Sequence, residues 1–333
     1  MTLKTRQQVD GARLGLTPLS QSLAVCQACC LLITVALYRA LGLSVHWATG
    51  IPFFVADAAI LVVWIYLYRN PGKPREWIVA ETVFAFLLML SLSHILAPAQ
   101  YAATALNRPL IDPLLAAADS RLGFHVPTLA DWVRARPLLN AILTRGYYTL
   151  LWQFALIIPI LGLVFRDRRS LWEYLFHFHL CAIVTVVMLA VFPAQCAFQH
   201  YGFESTLDQT RFIRHFNGLR DGSMTVVNLD DLEGLISMPS FHVAGALMVT
   251  WAVRHKMALL IPLVLINCTL IAATFLSGAH YFVDIIATVM MFCASVIVYQ
   301  RWVERPEIPD TAGAMPGVVD RAPAAAGHRQ PLS

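Results

Sequence analysis

The stretch Met257–Gln300 reads MALLIPLVLINCTLIAATFLSGAHYFVDIIATVMMFCASVIVYQ. Two apolar runs flank a short break, Ser277-Gly278-Ala279-His280, and a single carboxylate, Asp284, stands just inside the second run. A bilayer core takes about 20 apolar residues per helix, so this stretch is long enough to cross twice with a tight turn at the break. The rest of the chain has the same character. Of its 333 residues, 58% are hydrophobic and 13% charged, against about 45–50% apolar and about 25% charged in soluble domains. That composition excludes a disordered chain, a nucleic-acid-coating protein and an ordinary soluble enzyme. It predicts an all-α integral membrane protein.

Working outward with the same ruler gives eight predicted spans: Gln21–Leu41, Ile51–Tyr68, Trp77–Ala97, Gly146–Phe165, Leu171–Pro193, Ser240–Val253, Met257–Leu276 and Tyr281–Gln300. The sixth is short, and the residues just before Ser240 are expected to complete it. No internal repeat is visible.

The net charge of +4 is small, but its placement is informative. Arg69, Lys73 and Arg75, then Arg166, Arg168 and Arg169, then Arg254 and Lys256 all fall in short connectors on one side. By the positive-inside rule that side is cytoplasmic. With eight spans, Lys4, Arg6, Arg13, Arg301 and Arg305 share it, so both termini are expected inside. The other side carries two long connectors, Pro98–Arg145 and Ala194–Met238. In the first, Leu110, Ile111, Leu114, Leu115, Ala118 and Leu122 recur at helical spacing, with Asp112, Asp119 and Arg121 off the stripe. This predicts a short amphipathic helix lying in the membrane surface. Arg39 closes the first apolar run with no small-residue cleavage pattern after it, which argues against a cleaved signal peptide. The segment after Glu304 is rich in Pro, Ala and Gly and is expected to be disordered.

Six of the seven cysteines lie in apolar runs, where cysteine behaves as a small hydrophobe. Only Cys196 falls at a predicted loop. Cys26, Cys29 and Cys30 cluster as half of a metal site would, but no second half follows.

Two segments carry chemistry. Ser237-Met238-Pro239-Ser240-Phe241-His242 opens the sixth span, and Ser277-Gly278-Ala279-His280-Tyr281-Phe282-Val283-Asp284 opens the eighth. His242 and His280 are 38 positions apart, close to the length of two crossings. Both are therefore predicted on the non-cytoplasmic face at similar depth. His280 and Asp284, four apart, share a helix face. A carboxylate there fixes the imidazole tautomer and leaves the other ring nitrogen free, which makes a good nucleophile. His242 follows a Pro-Ser turn at a helix start, where backbone N–H groups and the Ser240 hydroxyl can hold an anion. One oriented histidine, one free histidine and an anion nest suit phosphoryl transfer through a phosphohistidine. Each segment alone has a plainer reading, as a helix start or a satisfied polar pair; their joint placement favours function. A facial-triad iron site built from His242, His280 and Asp284 is the metal alternative, and no Gly-x-Ser-x-Gly elbow supports a serine hydrolase.

Pro239-Ser240-Phe241-His242 and Gly278-Ala279-His280-Tyr281-Phe282-Val283-Asp284 resemble the second and third motifs of the type 2 phosphatidic acid phosphatase superfamily. The resemblance covers about 77–300. It implies a six-helix catalytic core over 77–303 with two extra helices over 21–76; the charge pattern and composition give a cytoplasmic N-terminal segment over 1–20 and a disordered tail over 304–333. It implies His280 as nucleophile, Asp284 as its orienting partner, His242 as general acid and Ser240 as a phosphoryl ligand, with no metal and no other cofactor. The departures point further. Phe241 stands where the lipid phosphatases carry glycine, Ala273 and Thr274 where they carry a Ser-Arg pair, and Tyr101 where the first motif has lysine, although Arg108-Pro109 fits that motif's end. This pattern is more similar to the inositol phosphorylceramide synthase branch.

A phosphomonoester carries about −1.5 to −2 charges near neutral pH and a lipid diester one, so a cation-poor site suits a diester. Arg108, Arg211, Arg214 and Arg220 are the available cations, with Arg220 the leading phosphate ligand because Arg220-Asp221-Gly222 leads toward the His242 motif. Asp57, inside the second span, is expected to pair with a neighbouring helix. His177 and His179, two apart, cannot share a helix face, and His94 is a candidate to border the pocket. The expected partners are membrane lipids as substrates, with no nucleic acid. The readings carried forward are a lipid head-group phosphotransferase or phosphohydrolase, a monoester phosphatase, and a transporter. The transporter is disfavoured because the ionisable residues gather at one membrane face and no repeat is present. The expected location is a bacterial-type inner membrane, with the site facing outward.

Overall fold

The computed structural model describes residues 17–70 and 74–303. Residues 1–16 of the expected N-terminal segment, Lys73 and the expected disordered tail lie outside them. The described residues form twelve α-helices: α1 (Pro18–Leu41), α2 (Ile51–Arg69), α3 (Pro74–Ala105), α4 (Asp112–Arg121), α5 (Val126–Arg134), α6 (Pro137–Pro159), α7 (Arg168–Val191), α8 (Ala197–Tyr201), α9 (Thr210–Asp221), α10 (Phe241–Ala252), α11 (Met257–Leu276) and α12 (Phe282–Val298). Seven helices are long and apolar enough to cross a membrane, α6 and α12 each extended by a π-turn. Many begin with proline in the first turn, where its missing N–H costs nothing. The chain is an all-α integral membrane protein.

The eighth apolar helix, α10, has only 12 residues, about 18 Å at 1.5 Å per residue, short of a hydrocarbon core of about 30 Å. The residues before Ser240 do not complete it, contrary to the sequence expectation. Ser240 is the N-cap and accepts from Val243 N. The chain before it is irregular, with Leu235, Ser237 and Ser240 buried. Irregular backbone is tolerated at membrane depth only where protein satisfies it, and α3 does so. The Gln100 amide accepts from Leu235 N (2.8 Å) and donates to Glu233 O (3.1 Å), while the Tyr101 hydroxyl accepts from Glu233 N (2.8 Å). Stranding one such buried group costs about 1–3 kcal/mol.

α3 is the central post, packed by α1, α2 and α7, while α10 packs on α7, α11 and α12. Aliphatic and aromatic residues of α3, α7 and α10 form the largest buried cluster. α2 buries none of its residues and meets α3 through Asp57 Oδ2 and His94 Nδ1 at 2.8 Å, the expected pairing of an intramembrane acid. The basic connectors gather at one end: Arg254 pairs with Glu173, Lys256 with Asp167 and Arg168 with Glu81. At the other end, strands β1 (Ser44–His46) and β2 (Val226–Asn228) pair in parallel, tying the α1–α2 loop to the connector before α10.

The first long connector departs from its predicted surface role. α4 covers most of the expected stretch, but Asp112 and Asp119 are fully buried while Leu114 and Leu122 are exposed. The acids face inward because backbone N–H groups of later segments need them. Burial raises both carboxyl pKa values and the hydrogen bonds they accept oppose that rise.

Candidate active site

The turn between α11 and α12 is shaped by Gly278. Its φ is +89°, and a Cβ there would lie 2.5 Å from Phe203 Cε2, so only glycine fits without displacing that ring. The carbonyls of Ser277 and Gly278 accept from Thr206 N and Phe198 N, which fastens the turn to the second long connector. His280 follows, buried, with Nδ1 3.3 Å from Asp284 Oδ2 and Nε2 3.3 Å from Ser240 Oγ. The expected His280–Asp284 contact is present, but not as a shared helix face: His280 stands in the turn before the Tyr281 N-cap and Asp284 in the first turn of α12, and α10 and α12 meet at the two motifs.

Asp284 has no exposed surface. Its Oδ2 also accepts from Tyr281 N (3.0 Å) and the Ser237 hydroxyl (3.2 Å). Thr288, one turn on, donates to Asp284 O (2.6 Å) and accepts from Ser240 N (2.8 Å). The hydroxyls of Ser237 and Thr288 thus join the two motifs, through contacts that no local pattern in the sequence marks.

His242 is held from α6. Its ring stacks on Tyr147 with centroids 4.1 Å apart and planes 19° apart, and Nδ1 lies 3.3 Å from the Tyr147 hydroxyl. Nε2 is therefore the free nitrogen. Nothing in the sequence marked Tyr147, whose partner lies 95 positions later.

His242 and His280 line one cavity of about 440 Å³. Its walls are apolar, from Leu92 and Leu96 of α3, Leu151 and Phe154 of α6, and Phe178 and Ala182 of α7. Its polar end adds Gln100, Tyr147, Asp208 and Glu233, and among the described residues no lysine or arginine lines it. The shape suits an amphiphile with its polar group at the histidines and its chains among the helices.

The other candidates are distributed differently. Arg108 is exposed between α3 and α4, outside the cavity lining. Arg220, at the end of α9, lies over the Phe216 ring (5.5 Å), with Nη1 buried and without a hydrogen-bond partner among the described residues. Burial lowers its pKa and nearby Asp112 opposes the shift. Arg211 and Arg214 pair with Asp231. Tyr101 contacts His215 Nδ1 at 2.7 Å. His94 faces Asp57 rather than the cavity, and His177 and His179 are buried against Ser295 and Gln27. Cys196, expected in a loop, is buried just before α8 and borders the cavity. Among the described residues no three His, Cys, Asp or Glu side chains are grouped to hold a metal ion.

A family model described as PAP2 superfamily matches residues 113–298, more than half of the chain. No curated protein and no solved structure matches.

Proposed function

Because the chain belongs to the PAP2 superfamily, a family of phosphatases and phosphotransferases, we propose that it moves the phosphoryl-bearing head group of a membrane lipid to another alcohol or to water, through a phosphohistidine on His280. The observation that carries this reading is the His280 ring, with Nδ1 toward Asp284 and Nε2 toward Ser240 in a cavity it shares with His242.

In the first step the Nε2 lone pair of His280 attacks phosphorus. A P–N bond forms and the P–O bond to the leaving lipid alcohol breaks. Protonated His242 gives its Nε2 proton to that alkoxide. Asp284 accepts the Nδ1–H bond of His280 and stabilises the positive ring. Ser240 and the free amides at the start of α10 bind the non-bridging oxygens, while Arg220 and Arg108, expected from the sequence as phosphate ligands, stand outside the cavity lining. In the second step an acceptor hydroxyl attacks phosphorus, His242 takes its proton, and the P–N bond breaks to restore His280. The Tyr147 hydroxyl can donate to neutral Nδ1 or accept from protonated Nδ1, so it can accompany His242 through both states.

The absence of lysine and arginine from the cavity lining favours a phosphodiester, with one negative charge, over a monoester with nearly two. Together with the Pro-Ser-Phe-His and His-Tyr-Phe-Val-Asp motifs, this supports chemistry of the inositolphosphotransferase kind over monoester hydrolysis. The same proposal takes 77–303 as the catalytic core, 21–76 as an addition to it, and the site as facing outward from a bacterial-type inner membrane. The test is to incubate the purified protein with phosphatidylinositol, phosphatidylethanolamine, phosphatidylglycerol and phosphatidic acid, with and without ceramide or diacylglycerol, and to identify products by mass spectrometry. Head-group transfer or release from a diester is expected. Turnover of phosphatidic acid alone would favour the monoester phosphatase, and no turnover of any lipid would count against the proposal.

A further inference from the structure

The first turn of α12 has N–H groups that its own helix cannot satisfy, and it carries the residues that aim His280. Asp284 caps Tyr281 N. The next two amides are taken by a side chain from a distant helix: Asp119 Oδ2 accepts from Phe282 N and Oδ1 from Val283 N, both at 2.8 Å. Two turns earlier on α4, Asp112 accepts from the Tyr281 hydroxyl (2.9 Å) and from Gln195 N (2.9 Å to Oδ2). Both acids are fully buried. A bidentate carboxylate fixes the direction of a helix end as well as satisfying it.

We infer that Asp119, supported by Asp112, is a positioning residue for the reaction: it clamps the first turn of α12 so that the Asp284 carboxylate meets His280 Nδ1. The clamp acts through Asp284 and touches neither phosphate nor His280. This rests on the reading of His280 as nucleophile, but the clamp also has a consequence that does not depend on it. Without Asp119, the Phe282 and Val283 amides lose their acceptor, and the turn that presents Asp284 is free to shift. A misplacement on the order of 1 Å can cost about 100-fold in rate.

The experiment is a double-mutant cycle of Asp119→Asn and Asp284→Asn, with Asp119→Glu as the conservative variant. Activity is read as nitrophenolate release from bis(4-nitrophenyl) phosphate. Amide hydrogen exchange is read on the peptide spanning the α11–α12 turn, using whole protein in detergent. Asp119→Asn keeps an acceptor for one amide and turns an N–H toward the other, so it is expected to fold while loosening the turn. The expected results are a kcat loss of about 10- to 100-fold with KM little changed, partial recovery in Asp119→Glu, faster exchange at the turn, and a double variant hardly worse than Asp284→Asn alone. Losses that multiply in the double variant would overturn the inference, as would unchanged exchange at the turn. A kcat loss that only tracks the folded fraction would overturn it too. If the wild-type protein does not turn over the probe, the catalytic reading fails instead, and the exchange data still decide whether the clamp exists.

Discussion

Replacing Tyr147 with phenylalanine removes one hydroxyl and leaves the stack on His242. The hydroxyl lies 3.3 Å from His242 Nδ1, longer than the usual ~2.9–3.0 Å of an N–H···O bond. Its net worth therefore falls in the lower half of the ~0.5–1.5 kcal/mol typical of a neutral hydrogen bond. At about 1.4 kcal/mol per factor of ten, the loss in rate is about 2- to 5-fold. This loss should appear only where His242 has a proton to deliver. A diacylglycerol-type alkoxide needs that proton, whereas nitrophenolate leaves without it. Tyr147→Phe should therefore slow turnover of whichever phospholipid donor is active by about 2- to 5-fold and leave bis(4-nitrophenyl) phosphate cleavage nearly unchanged. His242→Ala should show the same asymmetry at a scale of about 10²–10⁴ on the phospholipid. The assay compares kcat/KM on the two substrates for each variant. Equal proportional losses on both would refute the assignment of His242 as acid and of Tyr147 as its partner. A loss of several hundred-fold in Tyr147→Phe would show that the phenol takes part in the chemistry directly.

Three further outcomes follow from the same structure. A cysteine replacing exposed Glu204, in the connector before α10, should react with an impermeant thiol reagent in intact cells, and one replacing exposed His255, between α10 and α11, should not; the reverse pattern would invert the proposed orientation. Nitrophenolate release should survive EDTA, since His280 supplies the nucleophile; complete loss restored by one added divalent ion would move weight to the facial-triad reading. Asp57→Ala breaks the polar tie between α2 and α3, stranding His94, and should lower stability by about 1–3 kcal/mol in a detergent melt, while kcat of the folded protein stays unchanged; a loss of kcat would give α2 a part in the reaction.

The sequence makes the membrane fold legible because lipid imposes length and composition on every span. It also brings His242 and His280 into one cavity, because the short α10 and the spanning α11 run out and back between them. Asp57 was readable for the same reason: an acid at that depth needs a partner, and a neighbouring helix supplies one. What stayed hidden depends on groups far apart in the chain. α10 looked like an incomplete span, because the residues that let its approach remain irregular, Gln100 and Tyr101, stand more than 130 positions before the backbone they satisfy. α4 looked like a surface helix, because helical spacing assigns acids to water unless buried amides claim them. The amides that claim Asp119 lie over 160 positions later. Tyr147 carried no pattern at all.

The central claim is a covalent bond between phosphorus and His280, and rapid-quench mass spectrometry reads it directly. Wild-type protein mixed with an active phosphodiester donor and quenched in alkali, where phosphohistidine is stable, should carry a phosphoryl-containing adduct on the peptide that holds His280. Asp284→Asn should accumulate it more slowly, and His280→Ala should carry none. An adduct on any other residue, or turnover by His280→Ala, would contradict the account.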